Sequence, residues 1–132
     1  MAEQPSHHGA AQGGVRALLR LEGLGVLLAA VGLYAAGGHG WLLFLLLFLA
    51  PDLSFAGYLA GPRLGAAAYN GAHSYLGPLA LGAGSLLQPE LAPFALIWGA
   101  HVGFDRALGY GLKYASSFHD THLGRVGRAR AA

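Results

Sequence analysis

The chain has 132 residues, 55% of them hydrophobic and only 11% charged, with a formal net charge of +2 and no cysteine; its mean hydropathy is +0.47. A soluble globular domain carries about 25% charged residues, so water is the wrong solvent for this chain and a one-domain membrane protein is expected. The small charge and the lack of a basic–aromatic signature exclude nucleic acid as a partner, and the missing thiols exclude disulfides, thiolate metal sites and cysteine nucleophiles.

Residues 1–16 open with the small, polar stretch MAEQPSHHGAAQGG. They lack the basic region, short apolar core and cleavage site of a secretory signal. A disordered tail is expected there, with His7 and His8 solvated. A spanning helix needs roughly 20 mainly apolar residues, and four segments qualify: 17–36, 41–59, 64–87 and 91–112. The connections GGHG, AGPR and QPE are short. Gly61 can close one helix in the left-handed conformation and Pro62 can open the next. Pro89 and Pro93 fall at the start of the fourth span, where a missing N–H costs little, whereas Pro51 lies inside the second and is expected to kink it. The expected fold class is all-α, an integral membrane four-helix bundle over residues 17–112. A soluble bundle would need far more charged helix surface.

Orientation follows from Lys and Arg in the short loops. Arg16 and Arg20 precede the first span, Arg63 lies in the second loop, and Lys113, Arg125, Arg128 and Arg130 follow the fourth. The first and third loops carry none. Both termini are therefore expected in the cytoplasm, in a multi-pass protein of the inner membrane. Residues 113–132 form a basic cytoplasmic tail suited to anionic lipid headgroups, at about 1 kcal/mol per cation near the surface. The two halves share no motif order, so an inverted-repeat transporter gains no support.

Depth groups the polar residues. At 1.5 Å per residue, Glu22 lies about 6 Å from the cytoplasmic end of its span, Asn70 about 9, Asp105 about 10, Asp52 about 11, His73 about 14 and His101 about 16 Å. Four helices thus bring polar groups to one band in the inner half of the bilayer. Asn70 and His73 are three apart and His101 and Asp105 four apart, so each pair shares a helix face. Ala95, Gly99, Gly103 and Ala107 make a small-residue stripe nearly opposite, where another backbone can approach.

Each charged side chain at a helix centre costs roughly 2.5–3.5 kcal/mol. Glu22, Asp52 and Asp105 face one cation, Arg106, which points about 140° away from His101 and is expected to snorkel to the cytoplasmic surface. Such a negative cluster must hold protons, charge its imidazoles or bind a cation. Carboxylates and imidazoles from several helices are the ligand set of zinc, iron or manganese. The expected metal ligands are Asp52, His73, His101 and Asp105. Glu22 is the candidate general base, and Arg106 or Lys113 would meet an anionic substrate group, in metal-assisted hydrolysis of a lipid-soluble or membrane-surface substrate. A proton- or cation-coupled carrier or channel, oligomeric, is the alternative, with Asp52, Asp105 and the histidines as its relay. The third reading is a structural subunit whose cluster is hydrogen-bonding glue, worth about 0.6 kcal/mol per contact. Ionisable groups inside spans are functional candidates by default. His119, Asp120 and His122 either close over the site as a lid or stand solvated.

Several familiar motifs fail. The GYG at 109–111 ends a span, with no pore helix to make it an ion filter. His101-x3-Asp105 is one residue short of the acyltransferase pattern, paired desaturase histidines are absent, and neither a G-x-S-x-G elbow nor a P-loop occurs.

The stretches RLEGLGVLLAAVGLY, APDLSFAGYLAGPRLGAAAYNGAH, AHVGFDRALGYGLKY and FHDTHLGRVGR resemble the small bacterial membrane proteins grouped as the domain of unknown function 4260 family, over about residues 18–128. The resemblance carries over Glu22, Pro51, Asp52, Tyr69, Asn70, His73, His101, Asp105, Arg106, Tyr110, Lys113, Thr121 and His122, with no departure at these positions. It implies a four-helix membrane protein and supplies no activity. Tyr69, Asn70, Tyr110 and His122 thereby join the expected polar site.

Overall fold

A computed structural model describes residues 9–115 and 119–126. Residues 1–8 of the expected N-terminal tail, including His7 and His8, and Arg128 and Arg130 lie outside the described residues. The chain forms α1 (Gly13–Ala36), α2 (Trp41–Leu47), a 3-10 helix (Ala50–Ala60), α3 (Pro62–His73), α4 (Leu76–Gly84), a 3-10 turn (Pro89–Leu91) and α5 (Ala92–Leu108). A small hairpin follows, β1 (Asp120–Thr121) antiparallel to β2 (Gly124–Arg125), with Asp120 opposite Arg125 and Thr121 opposite Gly124. The protein is mostly helical. Gly13–Ala36 and Trp41–Ala60 are long and apolar enough to cross a membrane.

α5 is the centre of the fold. It is buried along most of its length, and it packs most extensively on α1 and then on α4, while the 3-10 helix lies against α3. The small-residue stripe explains the first contact. A Cβ added to Gly103 would stand 2.7 Å from the Gly23 carbonyl oxygen and 2.8 Å from the Leu27 nitrogen. Backbone meets backbone there, which only small residues allow. Gly99 is less demanding, at an ordinary 3.7 Å from Pro78.

Two prolines break the expected helices. α2 ends at Leu47, and the chain resumes as a 3-10 helix in which the Asp52 N–H donates to the Leu49 carbonyl at 3.0 Å. Pro51 has no N–H to offer the Phe48 carbonyl, and Asp52 has turned to Leu49, so Phe48 is released by the helix. The expected kink is thus a change of helix type.

The second break corrects the expected single span over 64–87. Pro78 cannot donate to the Ser74 carbonyl and its ring would collide with it, so the helix divides. Ser74 is extended (φ −94°, ψ 160°) between α3 and α4. Among the described residues there are five α-helices where four were expected. The carbonyls freed at the end of α3 are taken by α5 side chains: Trp98 Nε1 donates to Ala72 and Arg106 Nη2 to His73, both at 2.6 Å.

Glycines at φ > 0 punctuate the ends. Gly61 joins the 3-10 helix to Pro62 at φ +117°, ψ 166°, not in the expected left-handed helical conformation, whereas Gly109 (φ +93°, ψ 11°) is left-handed and closes α5 before the expected 112. α1 begins at Gly13 rather than at Ala17. The residues on either side of the helical body meet: Tyr114 Oη donates to the Gly9 carbonyl (2.7 Å), the Ala11 N–H to His122 (2.6 Å), and Arg16 Nε to Leu123 (2.5 Å).

Candidate metal centre

Asp52, His73, His101 and Asp105 come together from the 3-10 helix, α3 and α5. His73 Nε2 lies 3.0 Å from an Asp52 carboxylate oxygen and 3.5 Å from one of Asp105. His101 Nε2 lies 3.3 Å and 3.4 Å from the same two oxygens, and the two Nε2 atoms stand 3.1 Å apart. The histidines are almost fully buried, Asp105 is buried, and the Asp52 side chain retains 37% exposure.

The outer nitrogens decide what the inner ones can be. His73 Nδ1 lies 2.9 Å from the Tyr69 carbonyl, and His101 Nδ1 2.6 Å from the Phe48 carbonyl that Pro51 releases. A carbonyl oxygen only accepts, so each Nδ1 carries the proton and each neutral ring points a lone pair from Nε2 inward. With both rings neutral, two lone pairs and two carboxylate oxygens converge with no proton among them; with a ring protonated, its Nε2–H donates to a carboxylate. Tetrahedral ligands held at 2.0–2.1 Å from zinc stand about 3.3–3.4 Å apart; five of the six separations here are 3.0–3.5 Å, and all four atoms lie within 4.8 Å of one another. Among the described residues, these four form the group able to hold a metal ion.

Rings and backbone hold the set rigid. Tyr69 stacks on His73 with centroids 3.8 Å apart and planes 10° apart, and Phe48 meets the His101 ring edge-on at 5.3 Å. Lys113 Nζ sits 4.6 Å over the outer face of Tyr69. Burial pushes the Lys113 ammonium down from its ordinary value, against the pull of Asp105.

The remaining expected residues surround the centre rather than enter it. Asn70 clamps the Lys113 backbone, donating to its carbonyl at 2.8 Å and accepting from its N–H at 2.6 Å. Arg106 corrects an expectation: it does not snorkel outward. It is 6% exposed and donates to the carbonyls of His73 and Tyr110, because the broken α3 leaves a carbonyl that needs a donor. Tyr110 contributes that carbonyl and leaves its ring exposed. Glu22 is exposed on α1, apart from the four ligands. It lines a separate cavity of about 200 Å³ with Ser74, Tyr75, Arg106 and His122, where the buried Tyr75 hydroxyl has no hydrogen-bond partner. His122 accepts the Leu112 N–H on Nδ1 at 2.8 Å, and its pKa is lowered by burial and by Arg106. His119 is exposed and bonds to Val126 within the hairpin.

Residue-by-residue reading missed Phe48, Trp98 and Pro78. Pro51 signalled a freed carbonyl, but in an α-helix that would be Leu47, four residues back; Phe48 is freed because the chain turns 3-10 and Asp52 donates to Leu49.

The family model described as Domain of unknown function (DUF4260) matches residues 16–126. No curated protein and no solved structure matches the chain.

Proposed function

We propose, for a chain that belongs to the DUF4260 family, a multi-pass membrane protein with a buried divalent metal centre that hydrolyses a lipid-soluble or membrane-surface substrate. One observation carries the metal: the His73 and His101 Nε2 atoms face each other at 3.1 Å beside two carboxylates, with both Nδ1 atoms bonded to carbonyls. Only a cation, metal or proton, makes that arrangement favourable. A carbonyl that accepts the outer N–H in this way fixes the tautomer and orientation of a metal-binding imidazole.

The membrane reading rests on the outer surface. Leu28, Leu42, Leu45, Leu46, Leu53 and Leu59 are each more than 60% exposed, a greasy exterior that suits lipid rather than water. The loop cations then put both termini in the cytoplasm. When bound, zinc, iron or manganese would polarise a substrate oxygen or lower the pKa of a bound water. Asp52, the ligand with the exposed edge, lies where substrate reaches the centre. Arg106 and Glu22 share a cavity apart from the cluster, where in this reading they meet a distal polar group of the substrate, and Glu22 does not act as the expected general base at the centre.

Elemental analysis of the purified protein tests this. Stoichiometric metal is expected in the parent, and His101→Gln or Asp105→Asn should lose it while still inserting and folding. A parent free of metal in every preparation, with Asp105→Asn at unchanged or raised thermal stability, would overturn the reading. The hydrogen-bonded run Asp52–His73–His101–Asp105 also suits a proton or cation relay. That second reading predicts no metal in the parent and pH-dependent flux in liposomes that the same substitutions abolish.

A further inference from the structure

A second cavity, of about 290 Å³, lies beside the centre and is walled by hydrocarbon, with Leu47, Ala50, Pro51, Ala72, Ile97 and Trp98 among its lining residues. The indole N–H of Trp98, its most obvious polar group, is already spent on the Ala72 carbonyl. The walls are chain neighbours of the ligands: Pro51 adjoins Asp52, Ala72 adjoins His73, and Ile97 lies one helical turn before His101. Along α5, Ile97 and Trp98 of the apolar cavity, His101 and Asp105 of the cluster and Arg106 of the Glu22 cavity follow in order.

We infer that this cavity holds the hydrocarbon chain of an amphiphile, whose polar end is thereby delivered to Asp52. A polar ligand would leave its donors and acceptors unpaired against these walls. A peptide helix is too large, since a single turn about 10 Å across and 5.4 Å long exceeds the whole space. A lone hydrocarbon chain meets neither obstacle, and Phe94, 41% exposed on the lining, leaves a side open to the surface. Chain binding stands on the cavity alone; its meaning as substrate recognition rests on the metal-hydrolase reading.

The chain has two tryptophans, and Trp41 packs on Tyr34 and Phe44, outside the cavity lining. Trp41→Phe therefore leaves Trp98 as the sole indole reporter. In nanodiscs of that protein, a long-chain alcohol brominated near its tail should quench Trp98 saturably. Filling the space from its wall with Ala72→Leu, or from the exposed Ala50 with Ala50→Phe, should weaken the apparent affinity by about tenfold, comparable to losing about two buried methylenes. Metal content, measured on the same samples, reads the hydrolase proposal separately and should not change in either variant. Quenching that rises in proportion to probe concentration without saturating, or that persists unchanged in an Ala50→Phe protein of parental thermal stability, overturns the chain site whether or not metal is found.

Discussion

An imidazole presents its lone pair from whichever nitrogen is not holding the proton, and the neighbour of the other nitrogen makes that choice. In His73 and His101 backbone carbonyls hold Nδ1–H and aim Nε2 inward; in His122 the Leu112 N–H occupies Nδ1 and forces the opposite tautomer. That difference separates ligands from a strut. His122 must stay neutral to accept this bond, and its pKa in the folded protein is depressed below the ordinary 6.5. Below 6.5 the unfolded chain binds the proton and the folded chain resists it, so stability falls as pH drops from 6.5 toward the depressed value. His122→Asn keeps an acceptor without a titrating proton. Thermal unfolding measured with chelator present should lose stability less steeply between about pH 7 and 5 in this variant than in the parent. Parallel slopes would show that His122 does not govern the acid limb.

At the scale of the element, proline places the site. Pro51 turns α2 into a 3-10 helix and thereby frees the Phe48 carbonyl for His101; Pro78 divides α3 from α4 and frees His73 and Ala72 for Arg106 and Trp98. Replacing Pro51 with Ala restores a backbone donor that competes for Phe48. Metal affinity should fall by about 10–100-fold, the usual cost of disturbing the group that orients a metal-binding imidazole, while circular dichroism shows helix content unchanged or raised. Unaltered affinity would mean that Phe48 does not orient His101. Much of this was legible from the chain: the grouping of Asp52, His73, His101 and Asp105 was expected from their positions along the helices and their helical spacing, and Pro51 announces a local break. The division at Pro78 was hidden by an apolar run that hydropathy reads as continuous. The inward turn of Arg106 and the outward place of Glu22 depend on which carbonyls the tertiary fold leaves unpaired, and no local pattern encodes that.

For the molecule as a whole, polarity is inverted relative to a soluble protein, with ionisable groups inside around α5 and leucines outside on α1, α2 and the 3-10 helix. Since the native chain has no thiol, single cysteines can map its sides. Those at Gly38 and Glu90 should react with impermeant reagent from the periplasm, those at Arg63 and Ala115 from the cytoplasm alone. Outside labelling at Arg63 would remove the cluster from the inner half of the bilayer. A constraint on any threading comes from the bonds of Gly9, Ala11 and Arg16 to Tyr114, His122 and Leu123. Such bonds cannot reach through a hydrocarbon layer about 30 Å thick. The number of crossings between residues 16 and 114 must therefore be even, so a three-pass form cannot keep this clasp, and losing or adding a single crossing would open it.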